Sequence, residues 1–348
     1  MKTMPEPRGE LSALLIEHLQ APPHALPPAA PPSVADALID DDLHLALYLS
    51  YELHYRGLPD VDERWEWEPT LLAQRREWET AFEHALLARL GPPRRGGDAD
   101  DMDLELRAIL DADDGPPLSR QLERDGTLEQ VLEFVVHRSA YQLKEADPHS
   151  WAIPRLAGAP KAALVEVQAD EYGGGRPDRV HAELFANAIE ALGLDRTYGA
   201  YLERLPGLTL ATVNLMSLLG LHRRWRGAIA GHLAAFEMTS SIPNRRYGNA
   251  LRRLGFSAAA TEFFDEHVEA DAVHENIAAV DLAGGLARQE PALAGDVLWG
   301  ARALLDVEAR WARHLLDAWE DARSSLLAPL ARRSRPPRSP GPQRRWAH

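Results

Sequence analysis

The sequence predicts an all-α protein with a single core. Apolar residues recur at helical spacing along nearly the whole chain, and no segment shows a convincing alternation of apolar and polar residues. Segments rich in proline, glycine and aspartate separate the periodic stretches, as loops do. The chain has 348 residues, of which 45% are hydrophobic, so it is long enough to bury a large helical core, and no internal repeat is visible.

The periodic stretches define the predicted helices, and the breakers between them define the ends. The breakers include GPPRRGGDADD, YGGGRP and SSIPN. The predicted helices are Glu10–Gln20, Ser33–Tyr55, Pro69–Leu90, Met102–Ala112, Thr127–Ala146, Pro160–Tyr172, Pro177–Leu192, Thr209–Leu219, Arg224–Thr239, Asn244–Leu254, Ala258–Leu282 and Pro291–Leu327.

Composition predicts three regions. Residues 1–115 are richer in loops, prolines and acids, and form either a preceding subdomain or accessory helices wrapped on the main bundle. Residues 116–330 form that bundle and carry the candidate metal site described below. The proline-rich, basic residues 331–348 are expected to be a disordered tail.

Charge and cysteine content exclude several classes of function. The chain has no cysteine, which excludes disulfides, thiolate chemistry and iron–sulfur clusters and fits a reducing, cytoplasmic location. A formal net charge of -15 argues against nucleic acid and anionic membrane as partners. The N-terminus does not look like a signal peptide, and no apolar stretch approaches the ~20 residues of a membrane span.

The segment Phe263–His274 contains the pattern His-x-x-x-Asp-x-x-His, which is formed by His267, Asp271 and His274. On a helix, His267, Asp271 and His274 fall within roughly 60° of one another. Two imidazoles and a carboxylate on one stripe suit iron, manganese or zinc. The segment therefore predicts one half of a metal site, which needs further ligands from elsewhere in the bundle.

Other ligands are predicted on three further segments. Glu145 ends a helix, Glu171 precedes a glycine-rich turn, His181 starts the next helix, and Glu237 stands among small and apolar residues where an acid is costly without a partner. Neither Glu-x-x-His nor His-Glu-x-x-His occurs in the sequence, so the usual ferritin-like and zincin patterns are absent.

Plainer interpretations compete with each predicted ligand. The histidine segment could be a polar surface stripe on an acidic helix. Asp147 competes with Glu145, Asp170 and Glu166 compete with Glu171, and Arg245 or Arg246 could pair with Glu237.

Taken in order, these residues resemble the haem-oxygenase-like di-iron oxidases and oxygenases, also called the iron-containing redox enzyme family. The resemblance covers Thr127–Gly284 for the ligands, and is weaker from Asp41 onward, where ELHYRGLPDVDERWEWEP is similar to the family. The residues that match the ligand pattern are Glu145, Glu171, His181, Glu237, His267, Asp271 and His274.

The resemblance implies a seven-helix fold like that of haem oxygenase, a non-haem di-iron centre and O2 as co-substrate. It also implies two Fe(II) ions per chain, one held weakly, and a small amino-acid-like or fatty-acid-like substrate. Charge supports two ions independently, because four carboxylates among three neutral imidazoles would repel strongly without them.

Roles within the set are hypotheses. Glu171 is expected to bridge two ions. His181, Glu237 and His274 are assigned to one iron, and Glu145, His267 and Asp271 to the other.

The sequence therefore predicts an O2-dependent non-haem di-iron oxidoreductase. The main alternative is a small-molecule or metal-binding protein on the same scaffold without redox turnover, and a third is a helical interaction protein. Whether the chain forms a homodimer is left open. Residues that select the substrate are expected within Leu208–Trp225 and Ile242–Leu254.

Overall fold

The structure is a computed structural model that describes residues 1, 3–94, 96 and 99–330, without the side chains of residues 271 and 272. The predicted tail 331–348 lies outside the described residues. Among those residues there are helices and turns but no strand, so the predicted all-α class is confirmed.

The described helices are joined by short turns and by longer segments, such as residues 20–40 between the first two helices. In the first part of the chain they are α1 (Glu10–Leu19), α2 (Asp41–Glu52), α3 (Pro69–Leu90), α4 (Met102–Asp111), α5 (Leu118–Asp125), α6 (Leu128–Gln142) and α7 (Asp147–Ser150). In the second part they are α8 (Gly158–Glu171), α9 (His181–Ala191), α10 (Gly207–Leu221), α11 (Arg226–Leu254), α12 (Ala258–Asn276), a π-helical segment (Ile277–Gly284), α13 (Gly285–Gln289) and α14 (Ala294–Glu320).

Capping side chains set several of the boundaries. Thr127 and Gln130 form a reciprocal capping box at the start of α6. The Asp40 carboxylate accepts hydrogen bonds from the backbone of Asp42 and Leu43, so α2 begins at Asp41 rather than at the predicted Ser33. The short helices α5 and α7 were not predicted, because neither is long enough to show a helical period.

The predicted break between Thr239 and Asn244 is wrong, since α11 runs through it with Pro243 inside the helix. Proline removes one backbone donor and normally ends or kinks a helix. Two hydroxyl groups in the preceding turn donate to carbonyls of the same helix, but neither serves the Thr239 carbonyl, which is the one that the proline leaves without its helical donor. The Thr239 hydroxyl donates to the Ala235 carbonyl at 2.7 Å, and the Ser240 hydroxyl donates to the Glu237 carbonyl at 3.2 Å.

Helix α11 lies at the centre of the bundle and packs against α12 on one side and α14 on the other. The N-terminal helices pack on the same body, with α2 against α10 and α3 against α14. Trp78 and Phe82 of α3 belong to one continuous core with Trp299 and Trp311 of α14. Residues 1–115 therefore help to enclose the bundle that positions the predicted ligands.

Within the described part of the chain, no helix is both long enough and apolar enough to cross a membrane.

Candidate metal centre

Six of the seven predicted ligands converge in the interior of the bundle as two groups that share one carboxylate. Within each group, one ligand atom from every residue lies within 4.8 Å of the others. Glu171 belongs to both groups, and all six side chains are buried. The first group is Glu145, Glu171, His181 and His267, and the second is Glu171, Glu237 and His274.

Glu145 lies in the turn that follows α6, where the chain changes direction. The next residue, Ala146, has a φ of 73°, which a non-glycine residue adopts only at some cost. Gln168 donates a hydrogen bond from its side-chain amide to the Ala146 carbonyl at 2.7 Å and holds this turn against α8. The turn directs Glu145 toward α12, where its Oε1 lies 3.4 Å from His267 Nε2.

Glu171 and His181 are brought together by the glycine-rich turn between α8 and α9. Gly173 has a φ of 73°, and a Cβ there would lie 2.7 Å from the backbone carbon of Arg179, so only glycine fits. The chain thus folds back sharply, and His181 Nδ1 lies 2.8 Å from Glu171 Oε2. Arg179, in the same turn, forms ion pairs with Glu262 and Glu266 that fasten α12 beside the turn.

The orientation of the His267 ring is fixed by its own helix. Its Nδ1 lies 2.7 Å from the Phe263 carbonyl, which can only accept, so Nδ1 carries the proton in the neutral ring. The lone pair of the neutral ring is then on Nε2, the nitrogen that faces Glu145. A histidine held in this way is typical of metal ligands.

The second group joins α8, α11 and α12. His274 Nδ1 lies 3.5 Å from Glu237 Oε2 and 3.7 Å from Glu171 Oε1. His267 and His274 are seven residues apart on α12, about 10 Å along the axis, so each reaches a different group.

The charged side chains of the two groups shift one another's pKa values. Burial alone would raise the pKa of Glu171, but the imidazoles of His181, His267 and His274 outweigh it and lower this pKa to about 2. Burial alone would lower the pKa of His274, but Glu237, Glu171 and Asp170 raise it to about 9. In the metal-free protein, protons on imidazole therefore provide positive charge that metal cations would otherwise provide.

Whether a metal ion fits the site can be judged from the buried polar atoms that have no correctly aligned hydrogen bond. Among the described residues these atoms include Glu145 Oε2, Glu171 Oε2, His181 Nδ1 and His274 Nδ1. Leaving such an atom unsatisfied costs about 1–3 kcal/mol. These four atoms are nitrogen or carboxylate oxygen, and they belong to residues whose ligand atoms lie within 4.8 Å of one another in each group, so the residues present fit borderline divalent cations such as iron.

The grouping differs from the predicted division of ligands. His181 lies with Glu145 and His267, whereas the sequence-based hypothesis assigned it to Glu237 and His274. The reason is the position of His181 at the first residue of α9, which packs against α12 near His267; the two rings lie 4.5 Å apart. The side chain of Asp271 lies outside the described part of the structure, so its role as a ligand stays a prediction.

Among the competing residues, Arg245 and Glu166 are exposed, two others pair elsewhere, and one contacts His274 from outside. Arg246 is 3.9 Å from Glu123, where it faces α5 rather than Glu237. Asp147 accepts a hydrogen bond from the Tyr172 hydroxyl at 2.9 Å. Asp170 lies 3.1 Å from His274 Nε2 but is exposed, so it contacts the outer edge of that ring.

Sequence reasoning missed three buried side chains near the centre. Tyr141 and His149 line a small cavity together with Glu145, Glu171 and Glu237. His149 Nε2 lies 3.1 Å from Nδ1 of the buried His232, and burial lowers the pKa of His149 to about 4. The sequence offered a signal for Tyr141, since its spacing of four residues from Glu145 puts both on one face of the predicted helix. It offered none for His149, which lies in the segment ADPHS that was predicted to be a loop.

A larger cavity of about 230 Å³ adjoins His267. Its wall is mostly apolar and comes from α5 and the loop before it, and from α6, α9, α11, α12 and α14. Of the two segments expected to select a substrate, Ile242–Leu254 contributes three lining residues and Leu208–Trp225 contributes none. The aromatic lining residues are Phe134, Phe185, Phe236, Tyr247, Phe263, Phe264 and Trp311.

His274 should make the stability of the metal-free protein depend on pH. Its pKa is about 9 in the folded protein against 6.5 ordinarily, so the folded state binds this proton more tightly. The resulting stabilisation is complete below about pH 6.5 and is lost as the pH rises through about 9. Urea unfolding of metal-free protein between pH 6 and 9.5 should show this loss, and His274→Gln should reduce it to the part due to His181, whose pKa burial lowers but Glu171 raises further.

The exposed His84 on α3 provides the matched control, because His84→Gln removes an imidazole that faces solvent. Its pH profile should follow that of the wild type. A His274→Gln protein that loses stability over this range as the wild type does would contradict the raised pKa.

A family model described as an iron-containing redox enzyme matches residues 132–309, which span the described ligands from Glu145 to His274. No curated protein matches the chain.

Proposed function

The chain belongs to the family of iron-containing redox enzymes, and from this premise we propose that it is a non-haem di-iron enzyme that uses O2 to oxidise a small organic substrate. The bundle has the haem-oxygenase-like fold of that family. One observation carries the proposal beyond the family: Glu171 belongs to both ligand groups, as a carboxylate that bridges two ions would.

The donor set supports two ions rather than one. Glu145, Glu171 and Glu237 bring three negative charges into a buried site, and Asp271 would add a fourth. A single divalent ion would leave part of that charge uncompensated in a region where unpaired charge costs several kcal/mol. Two ions balance it and leave positions open for other ligands.

The residues of this chain prepare the site for oxidation chemistry. Two Fe(II) ions held by these residues would supply two electrons to O2 on oxidation to Fe(III), and the organic substrate or an external reductant would supply the remainder. Burial and the charges of Glu145, Glu171 and Glu237 raise the pKa of Tyr141, so its hydroxyl stays protonated beside the centre. Phe236 and Phe263 line the adjoining cavity and give it an apolar wall beside the centre.

The second candidate is a metal-binding protein on the same scaffold without redox turnover. The network in the metal-free site favours it to a limited extent, since His181 and His274 compensate Glu171 without any metal. That candidate binds metal and consumes no O2.

Anaerobic loading with Fe(II), followed by exposure to O2, tests the proposal. We expect close to two Fe(II) per chain with one site weaker, and O2 uptake together with a transient visible absorption band. No iron above background would reject the metal site altogether. Two tightly bound ions with no O2 uptake, with or without small-molecule substrates, would favour the second candidate.

A further inference from the structure

The residue that follows the predicted ligand Glu145 has a backbone conformation that a residue with a Cβ rarely adopts. Ala146 has a φ of 73° and a ψ of -32°, and it is buried. A residue in such a region is disfavoured by roughly tenfold or more, and it stays there only where the surrounding contacts hold it. The contacts around Ala146 therefore decide where the Glu145 carboxylate lies.

Gln168 of α8 makes the buried contact that holds this turn. Its side-chain Nε2 donates to the Ala146 carbonyl and to the Ser150 hydroxyl, both at 2.7 Å. The opposite orientation of the amide would place Oε1, which can only accept, against a carbonyl oxygen, so the orientation is fixed. Because Gln168 is 2% exposed, water does not compete for these two hydrogen bonds.

The four-residue helix α7, which begins directly after Ala146, has further contacts with the end of α8. The Ser150 hydroxyl lies 2.9 Å from the Tyr172 hydroxyl, which in turn donates to Asp147 Oδ1 at 2.9 Å. Tyr172 directly follows Glu171. Since α7 is fastened to α8 in this way, a rotation about the backbone of Ala146 moves the residues before it, and Glu145 is the first of these.

Gln168 thus connects the segments that carry two ligands of one group. It lies three residues before Glu171, and the turn that it holds carries Glu145, which belongs to the first group alone. On the basis of the metal site proposed above, we propose that Gln168 is a positioning residue. Its amide keeps the Glu145 turn in a strained conformation, which relaxes when the amide is lost, and so sets the affinity of the first group for metal.

The first test removes the amide and nearly keeps the volume of the side chain. Gln168→Met is titrated with Fe(II) under anaerobic conditions in two backgrounds, Glu237→Gln and Glu145→Gln. The first background leaves the group of Glu145 intact, and the second leaves the other group intact. The affinity for Fe(II) should fall by about tenfold in the first background, the contribution of one or two neutral hydrogen bonds, and by less than about twofold in the second.

Gln74→Met is the matched control for loss of a buried amide. Gln74 of α3 is also buried, and its Nε2 donates to another alanine carbonyl, that of Ala30, at 3.0 Å. The loop that it holds carries none of the predicted ligands. This variant should lose stability in urea, as Gln168→Met does, and should keep the affinity for Fe(II) in both backgrounds.

The second test relieves the strain directly. Glycine adopts a positive φ without the penalty of a Cβ, so Ala146→Gly lowers the cost of the observed turn. Alone it should change the affinity for Fe(II) little, because Gln168 already holds the turn. Added to Gln168→Met in the Glu237→Gln background, it should restore the affinity to within about threefold of the protein that keeps Gln168.

Ala152→Gly is the control for this rescue. Ala152 is also buried, but its φ of -76° and ψ of -24° lie in the ordinary helical region. Glycine relieves no strain at that position, so Ala152→Gly should restore no affinity to Gln168→Met.

Unfolding of the metal-free protein gives a readout that needs no iron. With Gln168 present, Ala146→Gly acts on a strained turn. In Gln168→Met the turn has relaxed, so the same substitution has less strain to relieve. Its effect on the free energy of unfolding should therefore be more favourable when Gln168 is present, and a double-mutant cycle in urea measures this difference.

Equal loss of affinity at both groups in Gln168→Met would overturn the proposal, as would equal recovery by Ala152→Gly and Ala146→Gly, or additive effects in the metal-free cycle. Failure of the proposed function looks different. A protein that binds iron but consumes no O2 would lose that function and keep the role of Gln168. If no iron binds, the function is rejected, and the metal-free cycle still decides whether Gln168 holds the turn.

Discussion

Glu171→Gln is expected to abolish high-affinity binding of both iron ions, a larger effect than any other single ligand substitution. Glu171 is the residue shared by the two ligand groups, so one substitution removes a donor from each. Loss of an outer partner of a metal ligand already costs about 10–100-fold in affinity, and loss of a shared ligand should exceed that. Anaerobic Fe(II) titration with removal of free metal measures the effect directly.

Single-group variants give the contrast that makes this result specific. Glu145→Gln should lower the affinity for one iron ion and Glu237→Gln the affinity for the other, because each residue belongs to only one group. Glu166→Gln changes an exposed acid on the same helix as Glu171 and should retain both. A Glu171→Gln protein that still holds one full-affinity equivalent would show that this carboxylate is not shared.

Folding must be checked separately in the same variants. Glutamine has nearly the shape of glutamate, so packing at the end of α8 is preserved. Removing the charge leaves His181 and His274 without the carboxylate that stabilises their protonated forms, so a modest loss of metal-free stability is expected. Loss of iron binding in a cooperatively folded Glu171→Gln protein therefore reports on the site.

Local signals in the sequence account for the elements that were predicted well. Glu68 caps the start of α3 through the Leu71 amide, and α3 was predicted with its observed bounds. The order and spacing of the carboxylates and histidines could likewise be read from the sequence, because each predicted ligand lies at the end, at the start or on one face of a predicted helix. The all-α class and the family both follow from such local patterns.

Contacts between distant segments account for what was not predicted. The grouping of His181 with His267 depends on how α9 packs on α12, which no local pattern expresses. Arg138 and Glu308 are separated by 170 positions, so their pairing could not be seen in the sequence. The helix α11 continues through Pro243 because its packing against α12 and α14 outweighs the loss of one backbone hydrogen bond, and a breaker motif does not express such packing.

The crossing of α11 and α14 gives the second large effect, which acts on stability. Gly231 of α11 faces the backbone of Val297, and Gly300 of α14 faces the backbone of Ala228. At each glycine a Cβ would overlap a carbonyl oxygen of the opposite helix. A backbone oxygen cannot rotate away as a side chain can, so an added methyl group must separate the helices.

Gly231→Ala is therefore expected to destabilise the metal-free protein by roughly 1–3 kcal/mol or more, the usual cost of overpacking a close-packed core. This cost opposes the intrinsic gain of alanine over glycine in a helix, about 1 kcal/mol. Gly300→Ala should behave alike, because it blocks the same crossing from the other side. Urea unfolding followed by circular dichroism measures both.

The control is Gly285→Ala in α13, where a Cβ would lie 3.4 Å from Pro160 Cγ, an ordinary contact. That variant should unfold at the same urea concentration as the wild type or slightly above it. Because α11 carries Glu237 six residues beyond Gly231, less than two turns away, separating α11 from α14 should also displace this carboxylate. Iron binding should then weaken more at the group of Glu171, Glu237 and His274 than at the group that contains Glu145. If both groups lose affinity equally, the effect does not come from a displacement of Glu237, and this part of the prediction is wrong.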